Sequence, residues 1–402
     1  MKVLTFTSLF PNHLSPDHAV FIKNRMAAFA KHEPADVKVV APVPFFPPVR
    51  LNARWYAFSQ IRRFETLDGL EIWHPRYLVT PKVGMAFYGI NMFLGALQTV
   101  KTLYRSFPFD IIDAHYIYPD GLAAVLMGKY FRKPVVLSAR GTDVNFYPRF
   151  GSIRKIMKYT LSRCTSVISV CASLKDIMTE ELGVSGDKIH VIPNGINTAM
   201  FRRTDTAEAR LKLGIPNHKK VLISVGALIE RKGHHLLVDG IGRIRKDGPV
   251  NFSTFIVGEG EYRKRIEDKI TENGLAEDVR LVGQIPNHEL VSWYNAADIF
   301  FLGSSREGWP NVVSEALACG TPVIATRANG VPEIITSDDY GILVDRTPES
   351  FATGIRQALS RAWDHEKIYG YGQSRTWKTV ASEVYDVFDQ VIHNASADTA
   401  GN

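Results

Sequence analysis

Short apolar runs alternate with helix-patterned segments from one end of this chain to the other, and that alternation limits its fold more than any other feature. Runs that read as buried strands lie near residues 3–7, 37–40, 72–79, 111–114, 135–138, 166–170 and 190–192. A second series lies near 221–225, 254–257, 280–282, 299–302, 323–325 and 342–344. Helical patterns fill the gaps, as at 21–31, 153–161 and 174–182. Strand–helix alternation of this kind packs as parallel sheets with helices on both faces. A length of 402 residues is too great for one ordinary core. The fold class is therefore α/β, with two doubly wound, Rossmann-like parallel-sheet domains facing across a cleft. The predicted domains are residues 1–195 and 196–375, meeting at a polar connector after Asn194-Gly195. The last residues, 394–402, are small and polar and are expected to fray.

Charge is divided unevenly. Residues 1–195 hold 24 Lys/Arg against 14 Asp/Glu, net +10; residues 196–402 hold 24 against 27, net −3, giving +7 for the chain. A basic N-terminal half fits an anionic membrane surface or acceptor, or simply a solvated basic surface. Its cations are scattered rather than striped and no nucleic-acid motif is present, so nucleic acid is not an expected partner. Cys164, Cys171 and Cys319 have neither metal-ligand spacing nor a disulfide framework, and a reducing cytoplasm is the simplest compartment. No export signal is read at the N-terminus: residues 3–10 are apolar, but Pro11 ends the run. Residues 83–100 are uncharged, yet Gly84, Gly89, Asn91, Gly95, Gln98 and Thr99 make them a poor spanning helix. Phe87, Ile90, Phe93, Leu94, Leu97 and Val100 are instead the expected packing face of an amphipathic helix, seated on a sheet or partly in a membrane.

The segment SSREGWPNVVSEALACGTPVIAT carries the strongest chemistry. It follows the apolar run 299–302, so Glu307 falls in the loop above a strand's carboxyl end. Pro310 suits the first turn of the next helix, Glu315 lies about a turn and a half into it, and Gly320 stops it. Parallel α/β sheets bind ligands at that edge, where a helix start also attracts anions. Two carboxylates framing such a site suit a ligand with hydroxyls and phosphate, a nucleotide sugar. Alone, the pair would equally be a solvated Glu and a Glu favouring the helix dipole.

The segment strongly resembles the signature of retaining GT-B glycosyltransferases of family 4, in which two Glu flank the donor sugar. Ser224-Val225-Gly226 with Arg231-Lys232-Gly233 is similar to that family's diphosphate-binding loop. Residues 255–260 (FIVGEG) resemble its next strand and turn, Val282-Gly283-Gln284 with Tyr294, Ala297 and Asp298 resembles the approach to the first Glu, and 191–195 (VIPNG) resembles the interdomain crossing. The helical pattern at 376–393 is similar to the last helix of the family, which packs back on the N-terminal domain. The loop 8–13, with 20–23 and Tyr118-Pro119-Asp120-Gly121, most resembles the branch making teichuronic acid and exopolysaccharides.

The resemblance implies an N-terminal acceptor-side domain and a C-terminal donor-binding domain. It implies a retaining, metal-independent transfer of a sugar from a nucleotide donor to a glycan acceptor that is lipid-linked, at the inner face of a cell membrane. Arg231 and Lys232 would stabilise the leaving diphosphate as charge develops there. Glu307 would hold the donor sugar and Glu315 the ribose hydroxyls. Gly226, Gly258, Gly260, Gly308, Trp309, Pro310, Asn311 and Val312 would complete the donor site. His115 is a candidate for orienting a reacting hydroxyl, with a hydrogen-bonded structural His as the alternative. Asn12, Tyr116, Asp120, Arg140 and Asp143 fall on the acceptor side. Two positions depart from the pattern: Ala227 stands where many relatives have another Arg, and Arg140 where many have His. Arg140 can clamp an anion but cannot act as a general base. No Asp-x-Asp or His cluster suggests a metal, and no cofactor beyond the nucleotide sugar is expected.

Two other classes remain at this point. A nucleotide-sugar 2-epimerase would share the architecture but needs acid–base residues at C2 that are not evident. A non-catalytic glycan-binding protein would have little reason to keep Arg231, Lys232, Glu307 and Glu315. Against a Rossmann dehydrogenase, Ser8–Asn12 after the first strand lacks the Gly-x-Gly-x-x-Gly turn.

Overall fold

The structure is a computed structural model describing residues 1–45, 47–48, 53–79 and 84–400. Residue 83, which opens the uncharged stretch, and residues 401–402 of the polar tail lie outside the described residues. The chain divides into two compact units, Met1–Gly195 with Trp377–Asn402, and Ile196–Thr376.

Unit 1 contains β1 (Lys2–Phe6), β2 (Asp36–Val40), β3 (Val43–Pro44), β4 (Phe64–Leu67), β5 (Leu70–Trp73), β6 (Arg76–Tyr77), β7 (Ile111–His115), β8 (Val135–Ala139), β9 (Ser166–Ser169) and β10 (Ile189–Val191). Eight of them form one sheet in the order β10-β9-β8-β7-β1-β2-β5-β4, while β3 and β6 pair as a short separate ribbon. Every pairing is parallel except β4 with β5. The expected strand at 72–79 is in fact two. Pro75, which has no N–H to donate, separates β5 from β6. The antiparallel β4–β5 hairpin was not anticipated, although Asp68-Gly69 is a hairpin-turn dipeptide and both residues have positive φ, 49° and 81°.

Helices cover this sheet because their apolar stripes match its inner faces. Ile22, Met26 and Phe29 of helix Val20–His32 pack with Val380, Val384 and Phe388 of the C-terminal helix Trp377–Ala400, over Val3, Ile111, Val136 and Ile168. The Phe29 and Phe388 rings lie 5.5 Å apart. Each such side chain stabilises the fold by about 1.5–3 kcal/mol. That helix continues to Ala400 rather than fraying at 394.

The helix Tyr88–Ser106 corrects another expectation. Its buried face is Gly89, Met92, Ala96, Val100 and Leu103, whereas Phe87, Ile90 and Leu94 are exposed. The helix turns its small-residue side inward because it runs close to β6: a Cβ on Gly95 would meet Arg76 O at 2.4 Å. Among the described residues no helix is long and apolar enough to cross a membrane.

Unit 2 contains β11 (Lys220–Val225), β12 (Phe252–Val257), β13 (Val279–Gly283), β14 (Ile299–Leu302), β15 (Val323–Thr326) and β16 (Gly341–Val344). The order is β13-β12-β11-β14-β15-β16, all parallel. Strand order reverses between β11 and β14, and open parallel sheets bind ligands at such a switch point. Apolar clusters fill both faces, Phe300, Leu302, Val313 and Ala316 on one and Leu222, Ile256, Phe301 and Phe351 on the other. Cys164, Cys171 and Cys319 are all buried.

Candidate active site

Two loops meet at the unit 2 switch point. After β11 the chain turns at Gly226, whose N–H donates to Val257 O. It then forms a 3-10 turn, Glu230–Lys232, and reaches Gly233 with φ +74°. Gly233 caps helix His234–Asp247 in a left-handed conformation. A Cβ there would lie 2.1 Å from Gly303 O, in the loop after β14. Ser305 N–H also donates to Arg231 O at 2.9 Å, so backbone binds backbone across the switch point.

This juxtaposition puts opposite charges in contact. Lys232 Nζ donates to Glu307 Oε1 at 2.6 Å, and Arg231 Nη1 stands 3.4 Å from Glu307 Oε2. Ser304 Oγ donates to Glu307 Oε1 at 2.6 Å, and Glu307 N–H to Asn329 Oδ1 at 3.3 Å. Glu307 is buried. Burial opposes its charge, but Lys232 and Arg231, with hydrogen bonds from Lys232 and Ser304, hold its carboxyl below the usual range.

Glu315 has the opposite environment. It sits in helix Asn311–Ala318, buried, with its Oε2 accepting from Tyr294 Oη at 2.8 Å. Burial pushes its pKa up to about 7, opposed by hydrogen bonds from Tyr294 and Asn287. Two carboxylates eight positions apart thus differ in charge state near neutrality, as acid and base partners at working sites often do.

The remaining unit 2 candidates divide by role. Pro310 occupies the N-cap position rather than the first turn, and Asn311 is the first helical residue. Gly308 is buried and Asn311 and Val312 are half-buried. The Trp309 indole N–H is buried without a hydrogen-bond partner. Gly258 and Gly260 answer to packing: added Cβ atoms would meet Gly226 O at 2.0 Å and Leu228 O at 2.3 Å. They hold the β12 loop against the β11 loop.

In unit 1 the strand order reverses between β1 and β7, and the loops after those strands meet there. Ser8 donates to Asp120 through its N–H and, at 3.1 Å, through its Oγ. Burial raises the Asp120 carboxyl to about 7, against those hydrogen bonds. Tyr116 is half-buried with φ +80°.

His115 and three of the acceptor-side candidates, Asp143, Asn12 and Arg140, make contacts within unit 1 instead. His115 is fully buried, with Nε2 3.0 Å from Asp113 Oδ2 and Nδ1 accepting from Arg140 Nε at 3.1 Å. Arg25 Nη2 donates to the other Asp113 oxygen at 2.8 Å. Burial and the two neighbouring guanidiniums hold His115 neutral, with its pKa near about 3, despite Asp113. Both ring nitrogens of His115 are thus engaged, the arrangement of a hydrogen-bonded structural His. Asp143 accepts from the N–H groups of Ile117, Arg140 and Gly141 at 3.1, 3.0 and 2.8 Å, which shapes its loop. Asn12 is buried and accepts from Leu14 N–H at 3.1 Å. Arg140 extends over the Phe21 ring and donates to Asn194 Oδ1 at 3.0 Å.

Known proteins match both units. The model for glycosyl transferases group 1 matches residues 205–375, and that for glycosyltransferase family 4 matches 64–200. A Bacillus subtilis protein provisionally named teichuronic acid biosynthesis glycosyltransferase TuaC is 30% identical over 393 residues, covering 96% of this chain and 93% of its own. This chain belongs to the group 1, family 4 glycosyltransferases. Its GT-B fold is shared with sucrose-phosphate synthase from Thermosynechococcus elongatus, at TM-score 0.79 and 19% identity over 98% of this chain and 99% of that one. It is shared also with Anabaena Alr3699/HepE, solved with UDP, at TM-score 0.74 and 18% identity over 97% and 100%.

Several residues of this glycosyltransferase site escaped the sequence. Arg346 donates to Gly303 O at 3.0 Å and Glu230 O at 2.8 Å, tying the two switch-point loops together. Asn329, in a left-handed conformation at φ +42°, holds the Glu307 backbone. Ser304, in the same loop, is buried against Glu307. Among the described residues no group of His, Cys, Asp and Glu is arranged to hold a metal ion.

Proposed function

We propose that this glycosyltransferase moves a sugar from a nucleotide-sugar donor to a lipid-linked glycan, with retention at the anomeric carbon and without a metal ion. The observation that carries the reading is the Arg231–Lys232–Glu307 cluster at the unit 2 switch point. An arriving diphosphate competes with Glu307 for the two cations, freeing the carboxylate for sugar hydroxyls. As the glycosidic bond breaks, negative charge grows on the leaving phosphate, and Lys232 and Arg231 stabilise that state more than the ground state. These cations take the part a divalent ion would play. With the freed Glu307 assigned to the sugar hydroxyls, no side chain of the cluster is assigned as a covalent nucleophile, and the reading is front-face displacement with the departing phosphate accepting the acceptor proton. Glu315 receives the ribose hydroxyls.

Support for the donor class comes from relatives: Alr3699/HepE is described in complex with UDP and with UDP-glucose. Support for a cell-surface polysaccharide comes from the teichuronic acid name of the Bacillus relative. Unit 1, with Asp120 and Tyr116 at its own switch point, is assigned the acceptor. Its net charge fits peripheral contact with an anionic membrane at the cytoplasmic face.

The test is transfer from a panel of nucleotide sugars to a lipid-linked glycan in excess EDTA, with the anomeric centre of the product read by NMR. Retention in EDTA is expected. An inverted product, or activity lost in EDTA and restored by magnesium, overturns the mechanism. Conversion of the donor to a new sugar nucleotide without acceptor would mean an epimerase.

A further inference from the structure

A second cationic feature lies in unit 1, at the opposite edge of the sheet from Ser8 and Asp120. A cavity of about 420 Å³ opens where the C-terminal ends of helices Leu122–Phe131 and Gly151–Arg163 pass the amino ends of β8 and β9. Lys129, Arg132, Lys133 and Arg163 line it, with Tyr159 and Thr165. No Asp or Glu is among its lining residues. Among the described residues none of the four cations makes an ion pair.

Cations near a helix C-terminus have an ordinary explanation, the partial negative charge of the terminal carbonyls. That accounts for Lys129 and Arg163, each in the last turn of its helix. It does not account for Arg132. This residue caps its helix at φ +55°, ψ +48°, the left-handed position where glycine is the usual occupant and a side chain is strained. Keeping arginine there carries a cost that glycine would avoid, and backbone strain held at a site is a reason to look for function. Nor does the dipole explain why four cations from two helices and a loop converge on one cavity. Arg163 also lies over the Tyr159 ring at 5.6 Å, which fixes its guanidinium beside the opening.

We propose that this cavity binds a phosphoryl group, presented either by an anionic lipid headgroup or by a soluble phosphate ester. Arg132 and Arg163 offer planar forks that match phosphate oxygens, and Lys129 and Lys133 offer point charges. Around the cavity, exposed Tyr130 and Tyr159 supply aromatic bodies with polar tips, a pairing suited to a headgroup layer. The site is independent of the donor reading, because it lies wholly in unit 1.

The experiment uses the full chain and three probes: glycerol 3-phosphate, vesicles of phosphatidylglycerol, and vesicles of phosphatidylcholine. It compares wild type with Arg132→Gly and with Lys129→Gln/Lys133→Gln. Arg132→Gly should raise the melting temperature, since glycine relieves the left-handed cap, and yet weaken anion binding by about tenfold. Nucleotide diphosphate affinity, which reports the unit 2 site, should not move. Loss confined to phosphatidylglycerol vesicles identifies a lipid headgroup as the source, and loss confined to glycerol 3-phosphate identifies a soluble ester. Should Arg132→Gly disturb nucleotide binding as well, the Lys129→Gln/Lys133→Gln chain, with its backbone unaltered, decides. Unchanged binding of both anionic probes in both variants, or equal binding to phosphatidylcholine, overturns the proposal.

Discussion

Lys232 Nζ and Glu307 Oε1 are 2.6 Å apart, so the cation proposed to receive a diphosphate is engaged by the carboxylate proposed to receive the sugar. Lys232 helps hold the charge of Glu307 in a largely buried site, and in the proposed mechanism the donor separates the two. Glu307→Gln keeps the shape but removes the competing charge. It should lower kcat/KM for transfer by roughly 100-fold while nucleotide diphosphate binds as tightly as in wild type or up to about tenfold tighter. Weaker diphosphate binding in this variant would mean that the pair does not exchange partners.

Lys232→Ala and Arg231→Ala should each lower kcat/KM by roughly 10- to 100-fold, since a charge-assisted contact to phosphate contributes about 1.5–3 kcal/mol. Lys232→Ala should be the more harmful, because it also strips Glu307 of the nearer of its two cations and leaves Arg231 at 3.4 Å. Circular dichroism and melting curves check that both chains fold. Wild-type turnover in either variant would remove this loop from the donor site.

Glu315 gives a pH dependence with a definite sign. Its pKa is raised to about 7 in the folded chain, so the carboxylate proposed to accept ribose hydroxyls is fully present only above that value. Nucleotide-sugar affinity should rise roughly tenfold between pH 6 and pH 8. Glu315→Gln should flatten the profile. The same shift means that the folded state holds this proton more tightly than the unfolded one. Its contribution to stability is present at acid pH and lost as pH rises through about 7, so Glu315→Gln should gain stability relative to wild type at pH 8 compared with pH 5.

His115 predicts the reverse. Its folded pKa is depressed to about 3 from 6.5, so acidification through that window protonates the unfolded chain before the folded one. Its contribution to stability is complete above about 6.5 and fades as pH falls toward 3. His115→Ala leaves Asp113 and Arg140 without their shared partner and should cost about 2–4 kcal/mol in denaturant titrations. In the folded fraction kcat should change by less than about threefold, because the imidazole has no free nitrogen for chemistry. A far larger loss of kcat would instead favour a role for His115 in orienting a reacting hydroxyl.

What could be read from the chain follows from which signals are local. Parallel strands such as β11 and β14 are legible because burial on both faces demands unbroken apolar runs. The Glu307–Glu315 segment is legible because strand, loop and helix follow in immediate succession. The inward face of helix Tyr88–Ser106 was misjudged because periodicity counts bulk, whereas the packing there follows Gly95 and its 2.4 Å approach to Arg76 O. Arg346 and Asn329 carry no pattern at all; they reach the site from the loops after β16 and β15, and only folding brings them to Gly303 and Glu307. His115 sits at a strand end in any reading, and its place between Asp113 and Arg140 depends on Arg25, which arrives from a distant helix.

The most direct test of the donor-site assignment is titration calorimetry with a panel of nucleotide sugars, in EDTA, on wild type and on Arg231→Ala/Lys232→Ala. Wild type should bind at least one donor in the micromolar range, as such substrates commonly do, and the double variant should lose about 100-fold or more in affinity while keeping its melting temperature within a few degrees. Donor binding of equal strength in both chains would contradict the account.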